Sequence, residues 1–162
     1  MNPSKTFYIV RHGLATHSTH GYGKRKLTAP ILPEGRIAIN KLAVELKNIG
    51  ESANISSEII RCRETSGIIT EITGKKFTYD KRLNEDYHET VRDIRERVMS
   101  FLKDAMKFPQ HNIIVCTHGI IIAAIKNLLI NDKFVTSQHH DFPQTGTLLI
   151  IEGKTAKTIN FN

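Results

Sequence analysis

Apolar residues along this chain fall into short continuous runs separated by longer stretches with helical spacing. Phe7 to Val10 is a compact β-prone run, and Asn112 to Cys116 is another, with Ile-Ile-Val at its centre. Runs without polar alternation are typical of strands that are buried on both faces. Shorter runs predict further strands at Ala53–Ser56, Phe77–Tyr79, Leu148–Ile151 and Thr158–Phe161.

Apolar residues recur every three or four positions in other stretches, which predicts four helices. The first runs from Pro33 to Lys47; its proline suits a first turn, and Gly50 suits the end. The longest runs from about Glu89 to Lys107, with its apolar residues on one stripe, and ends before Pro109. The other two run from about Arg61 to Ile72, closed by Gly74, and from Gly119 to Leu129.

The alternation of strands and helices predicts one domain over residues 1–162. We expect a three-layer α/β/α sandwich around a mostly parallel central sheet, because crossover helices cover both faces of such a sheet. Ligands collect beyond the carboxyl ends of the strands in this architecture, which singles out Arg11–Gly13 and Thr117–Gly119. Residues 14–32 are predicted as a long loop, and loops of that length are more often functional than incidental.

The composition, with 40% hydrophobic and 24% charged residues, is ordinary for a soluble globular protein and excludes a disordered chain. The longest apolar stretch, Ile120–Ile125, is far too short to span a bilayer. The amino terminus, Met1–Lys5, lacks the apolar core of a secretion signal, so we expect a cytoplasmic protein. In that compartment Cys62 and Cys116 are expected to be reduced and buried.

The net charge of +7, with an isoelectric point near 9.5, indicates an anionic partner. Nucleic acid, acidic lipid surfaces and phosphorylated substrates all meet that condition. The sharpest basic cluster, Lys24–Lys26, has no aromatic residue around it beyond Tyr22 and is typical of a solvated loop. We therefore expect neither nucleic acid nor a membrane as a partner.

Two histidines, His12 and His118, lie 106 positions apart in matching settings, each just after a buried strand. A lone histidine at such a place is most often bonded to nearby backbone. Neighbouring parallel strands bring their carboxyl ends to one edge of the sheet, so two such histidines can meet there. Their matched settings, together with further arginines in the chain, favour a functional site.

Five stretches occur in order over nearly the whole chain: Tyr8–Gly13, Leu32–Gly35, Ser57–Thr65, Leu83–Glu85 and Val115–Gly119. They resemble the ordered motifs of the histidine phosphatase superfamily, which includes cofactor-dependent phosphoglycerate mutases, fructose-bisphosphatase-type enzymes and bacterial phosphohistidine phosphatases. The resemblance implies a phosphoglycerate mutase-like version of the predicted sandwich. It also implies phosphotransfer chemistry that needs neither a metal nor another cofactor.

The resemblance implies that His12 is the nucleophile, whose neutral imidazole attacks phosphorus to form a phosphohistidine that water then hydrolyses. It implies that Arg11, Arg61 and His118 bind the phosphoryl oxygens, which carry most of the charge of the transferring group. Glu85 is implied as the general acid that protonates the leaving oxygen and then activates water. His12, Glu85 and His118 are thus the expected catalytic residues.

Two weaker phosphate contacts follow from the same resemblance. Gly119 opens a helix whose backbone N–H groups and dipole would add to the pocket. Ser18 occupies a place where related enzymes often have a polar phosphate contact. The remaining histidines of the loops lack the fixed spacing of metal ligands and are expected to be ordinary loop residues: His17, His20, His139 and His140.

Two residues compete with these assignments. Asp86 is adjacent to Glu85 and could serve as the acid, although the Leu-Asn-Glu context favours Glu85. Arg63 lies two residues beyond Arg61, so on a helix it points about 200° away and is expected at the surface or toward a loop.

We expect a metal-independent phosphatase that hydrolyses a phosphomonoester or a phosphorylated protein side chain. A mutase is one alternative, but mutases commonly carry Glu-Ser where this chain has Leu14-Ala15. Only 33 positions separate Glu85 from His118, which leaves little room for elements that would shield an intermediate from water. A non-catalytic phosphate-recognition module is another alternative, and it would need neither nucleophile nor acid. The choice between a small phosphorylated metabolite and a phosphoprotein stays open, as does the oligomeric state.

Overall fold

A computed structural model describes residues 5–162 of the chain, so the expectation based on the amino terminus concerns residues that lie almost wholly outside the described range. The described residues form six strands and four α-helices. In chain order these are β1 (Thr6–Arg11), α1 (Pro33–Leu46), β2 (Ser52–Ser56), α2 (Ile60–Thr73), β3 (Thr78–Tyr79), α3 (Val91–Ala105), β4 (Asn112–Thr117), α4 (Gly119–Asn131), β5 (Thr147–Glu152) and β6 (Thr155–Asn160).

The six strands form one sheet in the order β3-β2-β4-β1-β5-β6. Strands β3, β2, β4 and β1 are parallel, whereas β5 and β6 run antiparallel to their neighbours. Only Gly153 and Lys154 connect β5 to β6, and a connection this short permits an antiparallel hairpin but no crossover. The sheet is therefore mixed and mostly parallel, as expected.

Helices pack on both faces of the sheet, which confirms the three-layer sandwich. Alternate residues of β1 point to opposite faces: Phe7 and Ile9 pack with α3 and α4, while Val10 packs with α1 and α2. The neighbouring strand β4 behaves in the same way, with Val115 on the first face and Cys116 on the second. Strand β6 lies at the edge and is mostly exposed.

The predicted helices have the observed positions, with small differences at their ends. Helix α3 begins after Glu89 because Thr90 caps it: the Thr90 hydroxyl accepts a hydrogen bond from the Asp93 N–H, and the Asp93 carboxylate accepts one from the Thr90 N–H. Helix α2 ends at Gly74, whose φ of 76° is easily adopted by glycine. None of the helices in residues 5–162 combines the length and the apolar character that a membrane crossing requires.

Residues 14–32, here called the covering loop, contain one 3₁₀ turn at Gly23–Arg25 and are otherwise irregular. The loop is anchored at its end, where the Ile31 N–H donates to the Glu64 carboxylate at 2.8 Å and the Leu32 N–H to the Leu14 carbonyl at 2.7 Å. Ala29 and Ile31 are buried. This packing holds the loop against α2, close to the carboxyl ends of the strands.

Candidate active site

The sheet brings the two histidines together. Strands β1 and β4 are parallel neighbours, and Arg11 pairs with Thr117 at their carboxyl ends. His12 and His118 are the next residues on each strand, and their ring centroids are 5.2 Å apart. Both side chains are buried. The two histidines thus lie side by side because each directly follows one of two paired strands.

His12 is held in one orientation and one neutral form. Its Nδ1 lies 2.8 Å from the Gly13 carbonyl, which can only accept, so Nδ1 carries the hydrogen and Nε2 the lone pair. The Nε–H of Arg61 donates to that Nε2 at 3.2 Å. Burial, followed by the charges of Arg61 and Arg11, lowers the pKa of His12 to about 3. The ring is therefore neutral at ordinary pH.

Arg61 lies in the first turn of α2 with its side chain fully buried. All of its nitrogens have partners: Nε bonds His12, Nη1 the Lys26 carbonyl, and Nη2 the Glu85 carboxylate at 2.9 Å. The guanidinium also lies over the Tyr22 ring, 4.2 Å from its centroid. These three bonds use three of the five N–H donors of the guanidinium, so one further N–H remains on each of Nη1 and Nη2.

Glu85, and not the adjacent Asp86, faces Arg61 and His118. One oxygen of Glu85 lies 2.9 Å from Nη2 of Arg61 and 3.5 Å from Nδ1 of His118. Asp86 instead faces Lys26 of the covering loop at 3.6 Å. Burial raises the pKa of Glu85 and Asp86 raises it further, against the opposing effect of Arg61. Such a carboxyl keeps its proton to higher pH than an exposed one.

His118 caps the amino end of α4 and is bonded on one side only. Its Nε2 lies 2.8 Å from the Ser57 hydroxyl, whereas the buried Nδ1 has no hydrogen-bond partner among the described residues. Burial and the positive charges of Arg61 and Arg11 hold the pKa of His118 well below its usual value.

Arg11 reaches the same pocket from the end of β1. Its Nη1 donates to the Pro143 carbonyl at 2.7 Å, and its guanidinium lies 4.8 Å from the centroid of the Phe142 ring. The Nε atom is buried and has no partner in the part of the chain that the structure describes.

Phe142 also occupies the space beside Gly119, where an added Cβ would lie 2.8 Å from the ring. Gly119 is thus the first residue of α4 and a close-packing position, and its contact with phosphate stays a prediction.

Ser18 is exposed, and the structure does not bring it to the histidines. Its hydrogen bonds within the described residues are local: its N–H donates to the Thr16 hydroxyl, and its own hydroxyl accepts from the His20 N–H. Its role in phosphate binding stays a prediction. Arg63 is exposed, as expected, with its guanidinium 4.1 Å from the centroid of the Tyr79 ring.

The predicted loop histidines lie outside the pocket. His17 pairs with Glu34, and His139 stacks on His140 with ring centroids 3.8 Å apart. Within residues 5–162, no three His, Cys, Asp or Glu side chains are grouped as metal ligands would be.

Sequence reasoning missed several residues that touch the site. Ser57 and Asn84 lie within the motifs Ser57–Thr65 and Leu83–Glu85 but had no predicted role, although their polarity next to a predicted strand end and acid is a usable signal. Tyr22, an aromatic residue in a glycine-rich loop, was noted only as a neighbour of the basic cluster. Phe142 and Pro143 gave no signal, since only the folded chain brings them to Arg11.

The arrangement combines a neutral histidine, two arginines, a second histidine and a protonatable carboxyl. The lone pair of His12 is suited to attack an electrophile, and the guanidinium groups are suited to bind an oxyanion. Glu85 is suited to proton transfer because its pKa is raised toward the working range of an acid.

Comparisons with known proteins agree with this geometry. The model of the histidine phosphatase superfamily (branch 1) matches residues 7–88, a span that contains His12, Arg61 and Glu85. No curated protein matches the sequence significantly.

Solved structures show the same fold at low identity. A putative α-ribazole-5'-P phosphatase from Escherichia coli has a TM-score of 0.77 at 17% identity, covering 98% of this chain and 96% of its own. Mycobacterial glucosyl-3-phosphoglycerate phosphatase has a TM-score of 0.75 at 16% identity, covering 90% and 89%. Phosphoglycerate mutase from Bacillus anthracis has a TM-score of 0.71 at 15% identity, covering 96% and 92%. Since the family model spans half of the sequence, this chain belongs to the histidine phosphatase superfamily, branch 1.

Proposed function

We propose that this protein is a metal-independent phosphatase that hydrolyses a small phosphorylated metabolite through a phosphohistidine on His12. The protonation of His12 is the observation that carries the proposal. Nδ1–H donates to the Gly13 carbonyl, so the lone pair that a nucleophile needs is on Nε2, beside Arg61. The lowered pKa, about 3, keeps the ring neutral. A module that only recognised phosphate would gain from a cationic histidine at this place.

In the first step, a bond forms between Nε2 of His12 and phosphorus while the bond from phosphorus to the leaving oxygen breaks. Glu85 donates its proton to the leaving oxygen, and the raised pKa of Glu85 supports this role. Arg11, Arg61 and His118 stabilise the oxygens of the transferring group, where its negative charge is concentrated.

In the second step, Glu85 is a carboxylate and accepts a proton from the water whose oxygen attacks phosphorus. The bond between Nε2 and phosphorus breaks, its electron pair returns to His12, and Glu85 is again protonated. The Gly13 carbonyl accepts the Nδ1–H bond throughout, so it stabilises the positive charge that the phosphorylated ring acquires. The products are inorganic phosphate and an alcohol.

The position of the covering loop supports a small substrate. The side chains of His12 and Arg61 are 1% and 0% exposed. Tyr22 and the Lys26 carbonyl, both in the loop, contact Arg61 directly. A folded phosphoprotein would have to displace that loop with its own surface, whereas a small molecule needs a smaller opening. Two proteins of similar fold are named as a glucosyl-3-phosphoglycerate phosphatase and a putative α-ribazole-5'-P phosphatase.

Water is the acceptor that we propose, rather than a second hydroxyl of the substrate as in a mutase. The chain between Glu85 and His118 consists of α3, β4 and short connections. It therefore adds no element to the covering loop as a shield for a half-transferred intermediate, which favours transfer to water.

Release of phosphate from p-nitrophenyl phosphate and a panel of sugar phosphates, measured with EDTA present, tests the proposal. We expect turnover by the wild type and a loss of about 10³-fold or more in kcat for His12→Ala, because the nucleophile is gone. His17→Ala, which removes an exposed histidine of the covering loop, should retain the wild-type rate.

Equal rates for the wild type and His12→Ala would exclude this mechanism. Activity that EDTA abolishes would refute its independence from metal. A separate assay with phosphoglycerates, in which phosphate moves between positions without release, would identify a mutase instead.

A further inference from the structure

The hydrogen-bond partners of His118 define which of its nitrogens carries the hydrogen. The Ser57 hydroxyl lies 2.8 Å from Nε2 of His118 and 3.0 Å from Oδ1 of Asn84. An amide oxygen only accepts, so the hydroxyl hydrogen of Ser57 points to Asn84. Ser57 therefore presents a lone pair to His118, and Nε2 must be the protonated nitrogen. Cys62 Sγ, 3.4 Å from the same Nε2, is a second acceptor.

Glu58 fixes the orientation of the Asn84 amide. The backbone N–H of Glu58 donates to Oδ1 of Asn84 at 2.8 Å, and Nδ2 of Asn84 donates to the Glu58 carboxylate at 3.2 Å. A flipped amide would place its NH₂ group against the Glu58 N–H and its oxygen against a carboxylate. The chain of bonds from Asn84 through Ser57 to His118 thus has one consistent direction.

This direction leaves the other nitrogen of His118 without a hydrogen. Nδ1 is buried, has no hydrogen-bond partner in residues 5–162, and lies 3.5 Å from the Glu85 carboxylate. In the neutral ring Nδ1 is an acceptor only, and it cannot donate to the oxygen of a phosphoryl group. To make that contact, His118 needs a second proton.

We propose that Ser57 and Asn84 are positioning residues that hold His118 in its Nε2-protonated form. Nδ1 of His118 can then donate a hydrogen bond to a bound tetrahedral dianion only after His118 has taken up a second proton. The inference rests on the phosphate site of the proposed function. One proton from solvent adds to Nδ1 as the anion binds, and it returns to solvent as the anion leaves. The contact is then between an imidazolium and an anion, which is stronger than one from a neutral ring.

The charges around His118 favour this exchange. The groups that face it from the neighbouring elements are Arg11 at the end of β1 and His12 directly after it, Arg61 and Cys62 on α2, Glu85 after the 3₁₀ turn that follows β3, and Arg97 on α3. The three arginines oppose a second proton in the free protein, and a bound dianion would offset them.

Side-chain ¹⁵N NMR of the histidine-labelled protein near neutral pH tests the proposal, with sulfate as the probe because it is a dianion with no proton to contribute. The resonances of His118 are assigned by their loss in His118→Gln. In the free wild type we expect a protonated Nε2 and an unprotonated Nδ1. With saturating sulfate we expect both nitrogens to be protonated.

In Asn84→Ala without sulfate, we expect Nδ1 of His118 to be protonated and Nε2 unprotonated. The Ser57 hydroxyl, which has lost its acceptor, would turn and donate to Nε2. Asn84→Asp keeps an acceptor for Ser57 and should keep the wild-type pattern. Asn54→Ala, the same change on β2 with contacts to Ser52 and Lys76, should leave His118 unchanged.

A protonated Nδ1 in the free wild type, or an unchanged pattern in Asn84→Ala, would overturn the role of Ser57 and Asn84. An Nδ1 that stays unprotonated with added sulfate would overturn the proton uptake. These spectra are recorded without turnover, so their outcome is separate from that of the His12→Ala assay, which tests the phosphatase itself.

Discussion

The Nε atom of Arg61 lies 3.2 Å from Nε2 of His12 and donates a hydrogen bond to it. In the free protein, the lone pair that we assign to nucleophilic attack is therefore occupied by a guanidinium that we assign to phosphate binding. A phosphoryl group that enters between them would separate the two side chains. Its phosphorus would then face Nε2 of His12, and its oxygens would face the guanidinium of Arg61. Because His12 and Arg61 are buried and Tyr22 and Lys26 of the covering loop contact Arg61, we expect the loop to shift as the substrate enters.

Replacement of Arg61 by lysine should lower kcat/KM about a hundredfold or more, as the loss of one preorganised donor does in other sites. Lysine retains the charge but cannot reach His12, Glu85 and a phosphoryl oxygen with one planar group. Steady-state rates of the purified variant, with its melting temperature measured alongside, check this.

Arg63→Lys is the matched control for that variant. It lies two residues further along the same helix, exposed against Tyr79, and should retain the wild-type rate. Similar losses in both variants would mean that positive charge on α2, rather than the geometry of Arg61, supports activity.

Glu85→Gln should affect substrates according to their leaving groups. An alkoxide needs a proton as it departs, whereas p-nitrophenolate leaves readily without one. We expect a loss of about 10²-fold or more for a sugar phosphate and a smaller loss in the phosphorylation step for p-nitrophenyl phosphate. Burst kinetics separate that step from hydrolysis. Equal losses in both substrates would contradict the assignment of Glu85 as the acid.

The pH dependence of kcat/KM for a sugar phosphate should follow the ionisation of His12 and of Glu85. Activity should rise as His12 loses its proton near its pKa of about 3. It should fall as Glu85 loses its proton, above the ordinary range of a carboxyl because burial raises its pKa. The falling limb should disappear from the profile of Glu85→Gln, and a limb that persists there belongs to another group.

His12 should make the folded state sensitive to acid. Its pKa is 6.5 in an ordinary environment and about 3 in the folded protein, so the unfolded chain binds the proton more tightly. Its contribution to stability is present above pH 6.5 and is lost as the pH falls toward 3, by on the order of 5 kcal/mol. We therefore expect the free energy of unfolding of His12→Gln, measured with denaturant, to rise relative to that of the wild type by about that amount as the pH is lowered.

Two glycine-to-alanine changes should have opposite signs. In Gly119→Ala the new methyl group would lie 2.8 Å from the Phe142 ring, and overpacking of this kind costs about 1–3 kcal/mol. Gly67, in the interior of α2, has nothing within 4 Å of an added Cβ, so alanine should stabilise that helix by about 0.5–1 kcal/mol. Free energies of unfolding measure both, and recovery in Gly119→Ala with Phe142→Leu would identify the ring as the cause.

The parts of the site that lie on strand ends and in local motifs could be predicted from the sequence. His12 and His118 each follow a continuous apolar run, and the sheet register then places them side by side. Arg61 lies in the first turn of a helix that the apolar spacing located to within one residue at each end. These features depend on neighbours along the chain or on the general rule for parallel sheets.

Contacts between distant loops could not be predicted in this way. Tyr22 and Phe142 each lie against an arginine of the site, but no periodicity marks the residues that a loop will fold onto. The antiparallel direction of β5 and β6 is not among the predictions, although the six residues between the predicted strands Leu148–Ile151 and Thr158–Phe161 are too few for a crossover. The partners of His118 required the atomic positions of Ser57 and Asn84, since polarity alone does not show which hydroxyl faces which ring.

The phosphohistidine itself gives the most direct test of the account. The wild type and Glu85→Gln would be mixed with p-nitrophenyl phosphate, quenched in alkali because phosphohistidine is labile in acid, and analysed by mass spectrometry of their peptides. We predict a phosphoryl group on His12, with a larger trapped fraction in Glu85→Gln because its second step lacks a base. Turnover without any phosphorylated His12 in either protein, or a phosphoryl group on a different residue, would contradict the account.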